Sequence, residues 1–258
     1  MPQTKIVFFD IDGTLIDMQA KKITPKMLET LHRLQDRGIK ICIATGRSPM
    51  VLPKIDGVAF DAYLTFNGSL CYDRKGVIFS NPIPHKDVVR FIQNAAALGR
   101  PVCVSTRDRL AANGTDTDLT DYFFIANESV PVADDFDAVC AEDIYQLMLG
   151  CRPKDYPALL DGAPGAKIAA WWDRAVDVIP AGGGKGIGIE KMLAYYGLDK
   201  DEALAFGDGN NDREMLQAVG TGVAMENGSP ELKAIADEIC GPVYEDGIYH
   251  YCTNKGLI

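Results

Sequence analysis

The chain has no C-x-x-C pair, no histidine beside a cysteine and no surplus of basic residues, and each absence removes a class of function. Its seven cysteines, at 42, 71, 103, 140, 151, 240 and 252, are odd in number and widely spread, so neither a disulfide framework nor a zinc site is indicated. Those inside apolar runs such as IKICIAT read as small buried hydrophobes. A formal net charge of -10 argues against nucleic acid, whose binding draws on Lys and Arg neutralising phosphates. A small anion stays possible, provided a metal ion or a placed cation offsets the local field. No basic leader or membrane-length apolar run precedes or interrupts the first strand, which predicts a cytoplasmic protein without a membrane or protein partner.

What the chain does contain is ordinary globular composition, 47% hydrophobic and 24% charged, over 258 residues, enough for a core and a second domain. The apolar run KIVFFD, residues 5 to 10, reads as a strand. Thr24-Pro25 then offers an N-cap and a first-turn proline, Met27, Leu28, Leu31 and Leu34 recur at helical spacing, and Gly38 stops the helix before IKICIAT, residues 39 to 45. Strand, helix, strand of this kind implies a right-handed crossover and a parallel sheet. The C-terminal part repeats the pattern: a helix over 186 to 196, a strand over 203 to 208, a helix over 211 to 219, a strand over 221 to 225, and a last helix from Ser229-Pro230 toward Ile239.

The middle reads differently, with antiparallel-looking segments VCVST, YQLMLG, KIAAWW and AVDVIP, helical stretches near 86 to 98 and 153 to 162, and an acidic, turn-rich region around 113 to 143. The expected fold class is therefore α/β: a doubly wound parallel-sheet core, residues 1 to 81 and 179 to 258, interrupted by an inserted α+β domain over 82 to 178.

Chemistry concentrates where these strands end. Asp10-Ile11-Asp12-Gly13-Thr14 follows the first strand, at the sheet edge where open parallel sheets bind ligands. Residues i and i+2 of an extended segment point the same way, so Asp10 and Asp12 can address one ligand. A bland alternative is a surface turn, since Asp and Gly favour turns. Three further polar, glycine-bearing segments weigh against it: Ala44-Thr45-Gly46-Arg47, Gly182-Gly183-Gly184-Lys185-Gly186 and Gly207-Asp208-Gly209-Asn210-Asn211-Asp212. The glycine-rich GGGKG is not a nucleotide P-loop, because Ile179 occupies the first glycine position and Gly186 follows the lysine.

Together these segments resemble the haloacid dehalogenase superfamily, whose phosphatases carry DxDGT, a strand-terminal Ser or Thr, a Lys and GDxxND in this order. The long insertion between Thr45 and Lys185 resembles the Cof-type, or IIB, subgroup, whose α/β cap follows the second motif. The resemblance implies a Mg²⁺-dependent phosphomonoester hydrolase acting on a small phosphorylated metabolite, foremost a sugar phosphate.

It also implies roles. Asp10 is the expected nucleophile, a carboxylate able to split one displacement into two easier ones. Asp12 is the expected general acid and then base, its proton retained beside a second carboxylate, and by resemblance its backbone carbonyl binds the metal. Asp10 and Asp208 suit Mg²⁺ as hard oxygen ligands. Thr45 and Lys185 are expected to contact the phosphoryl oxygens, with N–H groups of Gly13, Thr14 and Gly46 assisting. Arg47, Asn67 and Asn211 are expected at the substrate. Asp212 is expected in support, ligating through water or holding Lys185, while simple N-capping by Asn211 and Asp212 is compatible with both roles. In the insertion, Arg107, Asn113, Trp171, Trp172 and Asp173 are candidate contacts, although paired tryptophans more often pack in a core. A phosphomutase would use the same aspartyl phosphate and call for a second basic cluster in the insertion. A receiver-like signalling domain phosphorylated on Asp10 is a third reading, disfavoured by length and by GDxxND.

Overall fold

The computed structural model describes residues 3–125, 128–170 and 172–258. Along the chain come β1 (Ile6–Phe9), α1 (Pro25–Asp36), β2 (Lys40–Ala44), β3 (Ala62–Thr65), β4 (Leu70–Asp73) and β5 (Gly76–Ser80). Then follow α2 (His85–Ala97), β6 (Cys103–Ser105), β7 (Leu110–Ala112), α3 (Thr117–Ile125), α4 (Phe136–Val139), β8 (Gln146–Gly150), α5 (Tyr156–Leu160), β9 (Ala166–Ala169) and β10 (Ala175–Pro180). The chain closes with α6 (Lys185–Tyr196), β11 (Ala203–Gly207), α7 (Arg213–Gln217), β12 (Thr221–Met225), α8 (Pro230–Lys233), β13 (Glu238–Cys240) and α9 (Gly247–Asn254). Two compact units result: Met1–Arg47, Pro53–Ser80 and Gly184–Ile258 form one, Ser48–Leu52 and Asn81–Gly183 the other.

The first unit is built on one sheet in the order β13-β12-β11-β1-β2-β3-β4-β5. Strands β13 through β3 in that order are mutually parallel, and β4 and β5 add an antiparallel edge. Strand β1 is buried along its whole length, so it reads as a continuous apolar run, the signature of a parallel strand covered on both faces. Ile6 and Phe8 pack with Ile189, Met192 and Met215 of α6 and α7. Phe9 stacks on Phe206, which meets the edge of Tyr251 in α9, and α1 packs beside α9. Helices on both faces are the doubly wound arrangement. Helix α1 is capped by the Thr24 hydroxyl, which accepts from the Met27 N–H, and buries Met27, Leu31 and Leu34 on one stripe.

The second unit is an antiparallel sheet, β7-β6-β8-β10-β9. One face carries Val104, Leu147, Leu149, Val176 and Val178 against Phe91 of α2 and Leu159 of α5. The other carries Cys103, Ala112 and Met148 under Leu119 and Phe123 of α3. The region read as turn-rich therefore holds two helices, α3 and α4. The local pattern hides α3 because buried Leu119 and Phe123 are followed directly by exposed Phe124 and Ile125.

Two C-terminal expectations are also corrected. The helix after Ser229-Pro230 ends at Lys233, and residues expected to extend it form β13, paired in parallel with β12. The helix expected over 211 to 219 opens as a 3₁₀ turn, Asn210–Asp212, and is α-helical only over Arg213–Gln217. The β4–β5 hairpin and α9 carry weak local patterns and were not expected. Among the described residues, no helix is long and apolar enough to cross a membrane.

Candidate active site

Because β12, β11, β1, β2 and β3 run parallel, the loops after them emerge on one edge, and the N-terminus of α6 carries Lys185 into the same place. Strand β1 stops at Phe9, and the chain turns at once: the Ile11 carbonyl accepts from the N–H groups of Thr14, Leu15 and Ile16. The DxDGT segment is thus a tight turn and not the extended stretch that the i, i+2 argument assumed. Gly13 makes the turn possible with φ +87°, and a Cβ there would lie 2.2 Å from Asp208 Oδ2. Only glycine lets the first loop lie this close to the Asp208 carboxylate.

Lys185 is the electrostatic centre. Its ammonium is buried and donates to Asp10 Oδ1 at 2.7 Å and to Asp212 Oδ1 at 2.5 Å. Asp212 Oδ2 accepts from the N–H groups of Asp208 and Gly209, both at 3.0 Å, so one carboxylate caps its own turn and anchors the lysine. Burial works to lower the Lys185 pKa, but the Asp10 and Asp212 carboxylates outweigh it and hold the ammonium charged. Burial pushes the Asp10 carboxyl well above its ordinary range, Lys185 pulling it down while Asp212 and Asp208 push it further up. Asp208 is likewise pushed up to about 7, by burial and then by Asp212, with the Thr14 hydroxyl donating to it at 3.2 Å and pulling the other way.

Asp10, Asp208 and Asp212 each bring a carboxylate oxygen within 4.8 Å of the others. One ammonium among three carboxylates leaves the cluster short of positive charge, and the donors are all oxygen. That set fits a hard divalent cation such as Mg²⁺, with water completing the coordination. Asp12 lies outside this cluster. Its two oxygens instead accept a fork from Arg47, Nε to Oδ2 at 2.8 Å and an Nη to Oδ1 at 2.6 Å. A guanidinium fork on both oxygens of a carboxyl group is a strong, directional pair, and it fixes the orientation of the Asp12 side chain. Arg47, expected at the substrate, pairs with Asp12.

Thr45 is buried at the end of β2; its hydroxyl accepts from the Arg47 N–H at 3.1 Å, leaving its own proton to donate. Asn67 sits after β3 in the left-handed region, as does Phe66 before it, an uncommon conformation that costs on the order of 1–2 kcal/mol per non-glycine residue. The Asn67 N–H donates to the Thr45 carbonyl, its side chain lies against Gly46, and its Oδ1 accepts from Asn211 Nδ2 at 3.1 Å. The structure thus brings together Asp10, Asp12, Gly13, Thr14, Thr45, Gly46, Arg47, Asn67, Lys185, Asp208, Asn211 and Asp212.

Sequence reasoning missed Asn227 and read Ser229 only as a helix cap; both lie in the loop after β12. Asn227 Nδ2 donates to the Gly13 carbonyl at 2.8 Å, and the Ser229 hydroxyl donates to Asn210 Oδ1 at 2.7 Å. The only local signal was that this loop also ends a parallel strand. In the inserted unit, Asn113 Oδ1 is occupied by the Val102 N–H, Arg107 lies beside Asp108, Arg109 forks Asp135, and Trp172 packs under the Arg174 guanidinium. Trp171 lies outside the described residues.

Residues 7–252 match the family model for haloacid dehalogenase-like hydrolases. YkrA of Bacillus subtilis is 35% identical over 257 residues, covering 99% of both chains. The 5-amino-6-(5-phospho-D-ribitylamino)uracil phosphatase YitU of the same organism is 28% identical over 262 residues, covering 95% of each. Among solved structures, a subclass IIB sugar phosphatase superimposes with TM-score 0.88 at 28% identity, covering 99% of this chain and all of that one.

Proposed function

The chain belongs to the haloacid dehalogenase-like hydrolases and is a phosphatase of that family, and we propose that it hydrolyses the phosphomonoester of a small sugar-like metabolite through an aspartyl phosphate on Asp10, with Mg²⁺. The observation that carries this reading is the buried Asp10–Lys185–Asp212 chain at the end of the central strand, beside Asp208. Lys185 holds the Asp10 carboxylate in one orientation and keeps a cation where negative charge develops on the phosphoryl oxygens. An Asp10 oxygen attacks phosphorus as the ester P–O bond breaks, and the leaving oxygen takes a proton from Asp12. Asp12 then takes a proton from water, whose oxygen attacks the phosphorus, the Asp10–phosphorus bond breaks, and inorganic phosphate leaves. Arg47 forks Asp12, and an arriving phosphate dianion is a competing partner of the right charge for its guanidinium.

Asp10, Asp208 and the Asp12 carbonyl would hold Mg²⁺, which when bound neutralises phosphoryl charge and offsets the surrounding carboxylates. Thr45 donates its hydroxyl proton to a phosphoryl oxygen, and Asn211 is presented by Asn67. We assign substrate selection to the second unit, Ser48–Leu52 and Asn81–Gly183, which contains the insertion expected over 82 to 178. A sugar-like substrate is favoured by the named substrate of YitU, which carries a phosphorylated ribityl chain, and by the sugar phosphatase neighbour. The mutase alternative draws no support from Arg107 and Arg109, each of which sits with its own carboxylate.

The test is phosphate release from phosphorylated sugars, nucleotides and cofactors by the purified protein, with and without Mg²⁺, beside Asp10→Asn. Release that needs both Mg²⁺ and Asp10 is expected; release that survives Asp10→Asn would sink the proposal.

A further inference from the structure

Three parallel strands in a row, β1, β11 and β12, end in loops that touch. The outer two loops reach each other across the middle one. Asn227 is the residue that crosses: its Nδ2 donates to the Gly13 carbonyl at 2.8 Å, and its Oδ1 accepts from the Val243 N–H at 2.9 Å. The carboxamide is therefore gripped at both ends, by the first loop and by the C-terminal segment. Beneath it, Gly228 lies so close to Asp208 that a Cβ would sit 2.9 Å from its carbonyl oxygen, and the Ser229 N–H donates to that carbonyl at 2.9 Å.

The consequence falls on Gly13. A glycine at φ +87° has no side chain to restrict it, so its neighbours must be held from outside. Its N–H shares a rigid peptide plane with the Asp12 carbonyl and donates to Ile16 O at 2.9 Å, which fixes the direction of that carbonyl. The peptide plane on its other side is fixed by Asn227. The same loop, through Ser229 N–H, fixes Asp208. We propose that Asn227 is a positioning residue for the divalent cation, setting the spacing between the Asp12–Gly13 peptide and the Asp208 carboxylate without touching the cation itself. This rests on the metal reading above and adds to it a residue outside the four motifs.

The inference is tested by Mn²⁺ binding to the full chain, followed by electron paramagnetic resonance without substrate, in native protein, Asn227→Ala, Asn227→Leu, Asn227→Asp and Asp208→Asn, with thermal melts of each metal-free form. Asn227→Ala is expected to weaken Mn²⁺ binding about tenfold, the scale on which partners of metal-holding groups act. Asn227→Asp retains the volume and the acceptor for Val243 and loses only the donor to Gly13. An added negative charge alone would tighten cation binding, so weaker binding by this variant reports the broken contact between residue 227 and the Gly13 carbonyl. Asn227→Leu, neutral and of similar volume, removes the same donor without a charge and keeps the test decisive if Asn227→Ala does not fold. A merely structural asparagine would lower the melting temperature and leave Mn²⁺ affinity within twofold. Mn²⁺ affinity within twofold of native in a folded Asn227→Ala or Asn227→Leu overturns the inference while leaving the metal reading intact. Native protein without a Mn²⁺ site sensitive to Asp208→Asn overturns both.

Discussion

Replacing Lys185 with methionine keeps much of the side-chain volume and removes the ammonium that two buried carboxylates share. Asp10 and Asp212 then keep their burial and lose their counter-charge. Removing one partner of a buried ion pair costs about 3–5 kcal/mol. For a chain of this size that corresponds to a melting temperature lower by roughly 6–20 °C at pH 7–8. The deficit has a pH signature. A carboxyl whose folded pKa is raised above its unfolded value of about 3.9 contributes stability that is fully present below that value and lost as pH rises through the folded pKa. Asp10 is raised already with the lysine present, by burial first, and loses its main lowering partner in the variant. The gap between native and variant should therefore be widest near pH 8 and narrow steadily toward pH 5, as protons replace the missing ammonium. Melts followed by circular dichroism in chelator across that range measure it. A gap below about 1 kcal/mol, the scale of an exposed pair, or one that does not change with pH, would refute the buried-pair reasoning.

Asp208 gives a second pH prediction. Its carboxyl is raised to about 7 by burial and by Asp212, so metal-free protein should lose stability as pH rises from about 5 through 7; Mg²⁺ should restore it most at the alkaline end, which melts with and without the ion will show. Gly13→Ala should cost about 1–3 kcal/mol, because φ is +87° and the new methyl would meet Asp208 Oδ2; it should also raise the Mg²⁺ concentration needed for half-maximal phosphate release. Thr45→Val, nearly isosteric, should lower kcat about 10- to 100-fold with KM changed less than threefold, since only the hydroxyl is removed. A kcat within twofold of native would exclude Thr45 from phosphoryl contact.

Local signals served well where structure is itself local. Thr24 and Pro25 start α1, and the apolar runs at β1, β2 and β11 identify buried parallel strands, because capping and two-sided burial are written within a few residues. They served poorly for α3, whose apolar residues do not form one clean stripe, and for β13, whose three residues become a strand only by lying beside β12. Arg47 shows the same limit in the site. Its pairing with Asp12, 35 residues earlier, is visible only in the structure.

The sequence by itself determined which chemical groups end the parallel strands: paired acids after β1, a hydroxyl after β2, an acid-rich turn after β11 and a lysine opening α6. These are fixed by short-range pattern, and the parallel crossover brings such ends to one edge. Only the tertiary structure decided who pairs with whom. Lys185 reaches Asp10 across 175 residues, Asn211 reaches Asn67 across 144 and Asn227 reaches Gly13 across 214. Such partners are chosen by strand order and by the loss of water around buried charge, which makes an unpaired group costly, and neither is written in the spacing of neighbouring residues.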